Sequence, residues 1–168
     1  HYNGKTGVFN ITEFSGRKST IYYFMRYDVA YLGKVRKIVD GRGRTVVSYR
    51  YDKLTGNVIR IRDMAGNDMN FAYNDFDEVR LVTRRGAEQD SPEPVAGFRY
   101  DSRRNLTEVM RLDASGRAVT TTSIRYDGAN QPQRISDGRT WRELRYNRFG
   151  LVMTETDMFR RVVRREYD

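Results

Sequence analysis

The side chains able to do chemistry in this sequence are few in kind. The 168-residue chain has no Cys and one His, His1, which removes thiol nucleophiles, thiolate zinc sites, Ser-His-Asp triads and imidazole acid–base pairs. Acids remain, 22 Asp and Glu in all, and two carboxylates about 5 to 10 Å apart with separated pKa values could cleave a glycosidic bond. No such pair stands out, because the Asp residues recur at regular turn-like positions. Nor does any glycine loop open a helical segment, as a phosphate-cradling loop would. The expectation is a protein without catalysis, cofactor or resident metal.

Guanidinium groups offer a second chemistry. Of 31 basic residues 26 are Arg, and the net charge is +9; Arg suits planar bidentate pairing and stacking on rings. Arg26, Arg50, Arg99, Arg125 and Arg145 each stand directly before a Tyr. Aligned on one face, they would form a positive stripe suited to phosphate, sulfate or an acidic glycan. Paired with acids of the next strand, they would instead be structural and keep sheet edges soluble. The run from Arg160 to Glu166 is denser. It is either an unpaired edge awaiting another repeat or a polyanion contact.

A repeat positions these arginines. Tyr-Asp or a near variant recurs at Tyr27-Asp28, Tyr51-Asp52, Tyr73-Asn74, Tyr100-Asp101, Tyr126-Asp127, Tyr146-Asn147 and Tyr167-Asp168, at intervals of 24, 22, 27, 26, 20 and 21 residues. A second marker places an acid three residues before Gly, in Asp40 to Gly43, Asp63 to Gly66 and Asp113 to Gly116, with Glu13 to Gly16 as an earlier copy. A third, Gly33, Gly56 or Gly150, follows the Tyr-Asp pair, with Asn105 and Gln131 standing there in two units. Gly and Asn tolerate positive φ and Asp bonds its own neighbouring backbone, so both kinds of marker indicate turns.

Between turns the period is two. Two residues before each repeat Tyr stand Met25, Tyr49, Phe71, Phe98, Ile124, Leu144 and Arg165, and the residue directly before it is mostly Arg. An apolar column alternating with a polar one is the mark of half-buried antiparallel strands. The fold class expected is all-β: an elongated twisted antiparallel sheet of tandem β-hairpins, about a dozen strands of five to eight residues, forming an open strip or shell segment. One array of about seven repeats spans 1–168. A loop insertion at 86–97, rich in acids and holding Pro92 and Pro94, accounts for the longest interval.

Leu, Ile, Val and Phe make up 37 of the 168 residues, barely above a disordered composition, and the 12 Tyr and one Trp tip the balance towards folding. No run approaches 18 apolar residues, and His1-Tyr2-Asn3-Gly4 lacks the regions of a signal peptide. A first residue other than Met predicts a processed protein or a piece of a longer one.

Arg50-Tyr51-Asp52-Lys53-Leu54-Thr55-Gly56-Asn57, followed by Asp63-Met64-Ala65-Gly66-Asn67, resembles the YD repeats of Rhs proteins, of the shell subunits of bacterial insecticidal toxin complexes, of wall-associated proteins and of teneurins. The resemblance runs from about Gly4 to Asp168. It implies a strip of β-hairpins that, in large members, spirals into a hollow shell around a toxic polypeptide or forms a cell-surface scaffold. Secretion or exposure at a bacterial surface is implied with it. So are the partners: further repeats of a longer parent or self-association, and an enclosed toxin polypeptide or an anionic glycan. Two departures limit the transfer. Several units lose the first Gly, and these 168 residues, which end on a Tyr-Asp pair, are not expected to include the core that closes such shells and cleaves off the toxin. Seven units are also too few for a full cocoon.

On this reading Tyr27, Asp28, Tyr51, Asp52, Gly56, Asp63, Gly66, Tyr73, Tyr100, Asp101, Asp113, Gly116, Tyr126, Asp127 and Tyr146 are structural repeat positions. Their rings are expected to stack in a column at about 4.8 Å while each Asp accepts turn N–H bonds. A Tyr ladder holding sugar rings is the competing reading. Tyr22, Tyr23, Phe24, Tyr31 and Trp141 fall outside the Tyr-Asp set and are the candidates for an exposed contact. The expected function is a non-catalytic structural repeat module. The alternative is a self-standing binding module for an anionic glycan or nucleic acid through Arg26, Arg50, Arg99, Arg125 and Arg145.

Overall fold

The computed structural model describes residues 2–3, 7–12, 16–23 and 33–167. Of the residues named above, His1, Gly4, Glu13, Phe24, Met25, Arg26, Tyr27, Asp28, Tyr31 and Asp168 lie outside the described residues. All described regular structure is strand, as alternating patterns without helical periodicity dictate. The chain divides into two compact units, His1–Glu93 and Pro94–Asp168.

The first unit carries β1 (Tyr2–Asn3), β2 (Val8–Thr12), β3 (Lys18–Tyr23), β4 (Val35–Asp40), β5 (Thr45–Tyr51), β6 (Val58–Asp63), β7 (Asp68–Tyr73) and β8 (Val79–Arg85). Each pairs antiparallel with its neighbours in sequence order. The second carries β9 (Glu93–Tyr100), β10 (Leu106–Leu112), β11 (Ala118–Tyr126), β12 (Pro132–Ser136), β13 (Trp141–Tyr146), β14 (Val152–Asp157) and β15 (Val162–Arg164), paired in the same way. Among the described residues no ladder joins the first strand of either unit to its last, so neither is closed into a barrel. Among the described residues the strands number fifteen rather than about a dozen, and run from two to nine residues.

The expected loop at 86–97 is shorter than the composition suggested. Strand β9 already begins at Glu93, and Ala96 pairs with Arg111, so only 86–92 is irregular. Pro94 stands at the second residue of β9, before the first position paired with β10. Gln89 turns the loop back on itself, its side-chain oxygen accepting the Gly86 N–H at 2.6 Å.

Register separates the faces. Tyr49, Ile61 and Met69 stand abreast on one face of the first unit, while Arg50, Arg60 and Asn70 stand abreast on the other. Burial is shallow: Val39 and Val82 are the only buried apolar side chains among the described residues, and the Tyr column is half-buried. A layer with so little covered side-chain area relies on its ladders and turns, because the hydrophobic term scales with area removed from water.

Candidate functional site: clasped hairpins and an arginine face

Two kinds of turn alternate. In the Tyr-Asp turns the Asp or Asn carboxyl or amide oxygen accepts the backbone N–H groups two and three or four residues on. Asp52 takes Leu54 and Thr55, both at 2.8 Å; Asp101 takes Arg103 and Asn105, both at 2.9 Å; Asp127 takes Ala129 and Gln131. Asn74 and Asn147 do the same, which is why Asn substitutes for Asp in the repeat. Asp40, Asp63 and Asp113 organise the second kind of turn. The Asn67 side-chain amide holds Asp63 below the usual carboxylate range, and Ser115 does so for Asp113.

The left-handed position of the Tyr-Asp turn corrects the third marker. Gly56 and Gly150 occupy it at φ 73° and 80°, but its other occupants are Asp77, Arg104 and Asn130, at 62°, 69° and 61°. Asn105 and Gln131 each lie one residue later, at the position of Asn57. Two further turns of the second kind lack the Asp-to-Gly marker. Asp157 turns through Arg160 (φ 62°), and Asp137 closes a shorter one onto Thr140. The Asp157 turn keeps the spacing of the marker, with Arg where Gly was sought. Part of the run from Arg160 to Glu166 is accordingly this turn and strand β15, with Arg161 bonded to Asp157 and Arg165 to Glu155.

Within each unit the described repeat tyrosines stand on alternate strands, hence about 9.6 Å apart rather than about 4.8 Å, and stacking is found within a strand, between Tyr49 and Tyr51 (centroids 6.4 Å). The hydroxyls make the link instead. Tyr51 donates to the carbonyl of Val35 at 2.8 Å, Tyr73 to Val58 at 2.8 Å, Tyr126 to Leu106 at 2.9 Å, Tyr146 to Pro132 at 2.6 Å and Tyr167 to Val152 at 2.9 Å. Each acceptor opens the strand whose turn leads back to that Tyr. A hairpin such as β6–β7 is thus turned at Asp63–Gly66 and clasped at its open end by Tyr73.

A register irregularity accompanies the repeat Tyr in Arg50/Tyr51, Ala72/Tyr73, Arg125/Tyr126 and Arg145/Tyr146, the kind of bulge that re-aims a side chain. Tyr100 meets Leu106 beside the same irregularity, and Tyr23 meets Val35. Desolvation pushes the phenols of Tyr51, Tyr73, Tyr126 and Tyr146 above their ordinary pKa.

Asp68 was not singled out by any sequence signal. Its side chain is 3% exposed and accepts a bidentate pair from Arg62, at 2.7 and 2.8 Å, and a further bond from Arg85, with Arg60 at 3.8 Å. The Arg62 bonds hold its carboxyl far below the usual range.

Of the proposed stripe, Arg50, Arg99, Arg125 and Arg145 are exposed. Their cross-strand partners differ. Arg99 faces Glu108 and pairs with it at 3.1 Å, Arg145 faces Thr154, and Arg50 and Arg125 face Arg60 and Arg134. Acid pairing therefore holds at one of four positions. Cations cover two of the candidate contact rings: Lys37 lies 4.7 Å from the Tyr22 ring centre and Arg134 lies 4.6 Å from that of Trp141.

Short hairpins joined by Asx turns and closed by Tyr hydroxyls define a tandem-hairpin repeat protein. No protein-family model matches the chain, and no curated protein does. Among solved structures it is similar to the crystal structure of TcdB2-TccC3, with a TM-score of 0.51 and 12% identity, over 95% of this chain and 11% of that one. TcdB2-TccC3 without its hypervariable C-terminal region gives 0.40 and 10%, over 85% and 9%. The Tc holotoxin pore of Photorhabdus luminescens gives 0.26 and 12%, over 95% and 14%. The first of these likenesses shows the fold, and the chain spans about a tenth of the length of its counterpart there.

Proposed function

We propose that this chain is a non-catalytic structural segment of a larger antiparallel shell of the Rhs/YD type, secreted or displayed at a bacterial surface, with further repeats and an enclosed polypeptide as its partners. The observation that supports the reading is the set of Tyr clasps, in which the repeat Tyr closes a hairpin and the Asp beside it organises the turn. The shallow burial of both units supports it, since a sheet with so little covered side-chain area gains from continuation by neighbours. The fold likeness to TcdB2-TccC3 supports it as well.

The test is the mass and location of the native protein, by immunoblot of cells, surface fraction and culture medium of the source organism. A band far above 19.8 kDa, in medium or surface fraction, is expected. A band near 19.8 kDa confined to the cell interior would overturn the proposal.

A further inference from the structure

The hollow over β11 and β12 is lined by three guanidiniums and several hydroxyls, and nothing in the shell reading uses it. Ser123 faces Ser136 and Arg125 faces Arg134 across the ladder, so all four project from one face, and Thr121 follows in the same phase. With Arg139 from the Asp137 turn they surround a space of about 510 Å³, within the range of about 300 to 1,000 Å³ that small-ligand sites occupy.

Two like charges directly opposite each other on adjacent strands repel. Arg134 is held in place: its guanidinium lies over Trp141 at 4.6 Å and bonds Glu143 at 3.3 Å. Arg125 is exposed, and no ion pair involves it among the described residues. The one carboxylate in the lining, Asp137, accepts the N–H groups of Arg139 and Thr140 at 2.9 and 2.7 Å and the Thr140 hydroxyl at 3.1 Å. A fixed guanidinium, an uncompensated one opposite it and hydroxyls two residues along the same face line one hollow with the donors that oxygen anions take.

We propose that Arg125, Arg134 and Arg139, with Ser123 and Thr121, bind a tetrahedral oxyanion, a sulfate or phosphate group free or as a terminal monoester. The proposal is independent of the shell reading, since it requires only the β11–β13 hairpins. Trp141 is the only Trp in the chain and touches Arg134, so its fluorescence reports the site. The whole chain is titrated with sodium sulfate, with sodium phosphate and, at matched ionic strength, with sodium chloride.

A saturable Trp141 response to sulfate or phosphate, absent with chloride, is expected. Arg125→Gln should weaken it at least about tenfold, as loss of a charged hydrogen bond does. Arg50→Gln, which removes the same kind of like-charged partner on β5, away from these hairpins, should leave it unchanged. Without added anion, Arg125→Gln should melt no lower than the parent, because it relieves repulsion. The two salts distinguish a sulfate site from a phosphate site. A linear response, an equal response to chloride, an undiminished response in a folded Arg125→Gln, or tighter binding of an oligonucleotide that Arg50→Gln weakens equally would each overturn the proposal, the last in favour of a general polyanion face.

Discussion

The hydroxyl of Tyr126 donates to the carbonyl of Leu106 at 2.9 Å, twenty residues upstream and across the open end of the β10–β11 hairpin. The acceptor lies beyond Glu108 and Ser123, the pair at which the β10–β11 ladder ends, so the bond holds the two strands together where the ladder no longer does. It also explains the phase of the repeat, because Tyr must stand where its ring reaches the neighbouring strand and its oxygen meets the residue that follows the preceding Tyr-Asp turn.

Tyr126→Phe keeps the ring and deletes the bond. A loss of about 0.5–1.5 kcal/mol is expected from urea unfolding. Tyr126→Ala should cost about 1–3 kcal/mol, short of the range for a fully buried ring, because the side chain is half-buried. A Phe variant as stable as the parent would show that the clasp contributes nothing.

Acid should unfold the first unit through Asp68. A carboxyl whose folded pKa is depressed contributes stability that is complete above its unfolded value of about 3.9 and is lost as pH falls through the folded one. Melting temperature should therefore be flat above about pH 5 and fall below pH 4. Asp68→Asn should be less stable at neutral pH by about 1–3 kcal/mol, with a shallower decline in acid. Parallel parent and variant curves would remove Asp68 from the explanation.

Alkali acts with the opposite sign. The phenols of Tyr51, Tyr73, Tyr126 and Tyr146 are held above their ordinary pKa by desolvation, so their contribution is complete below about pH 10 and fades as pH rises further. Ultraviolet titration of the folded protein should show tyrosines ionising above about pH 10 that titrate normally in urea. Identical curves in both states would contradict the clasp geometry.

Arg104 and Arg160 hold left-handed backbone at φ 69° and 62°. Replacing either with Gly should stabilise by about 0.5–1 kcal/mol, the steric relief less the entropy Gly loses on folding. Gly66→Ala should go the other way, since φ is 87° and the new Cβ would meet Ala87 at 3.3 Å. Thermal melts of the three variants decide the matter, and a destabilised Arg104→Gly would contradict the account.

The strands and their order were legible because Tyr, the residue two before it and the Asp turn repeat often enough to fix the phase. The turn interiors were only partly so. Gly announces a positive φ, but Asp77, Arg104, Asn130 and Arg160 reach the same backbone without announcing it, sustained by the Asx bonds around them. The site around Asp68 was invisible for another reason. Its partners lie six residues back on β6 and seventeen ahead on β8, and no local pattern relates them before the register is known. The hydroxyl clasp was missed because the ring suggested stacking, and strand alternation places successive repeat rings two strands apart.

Because every clasp closes on an acceptor only fourteen to twenty residues upstream, each hairpin is complete as soon as its own Tyr has been synthesised. Contacts so local form quickly and with little loop-closure cost. A chain leaving the ribosome could lock one hairpin at a time, and changes in length would be tolerated in whole hairpins: excising one would leave the clasps of its neighbours untouched, while excising half of one would strand a Tyr without its carbonyl.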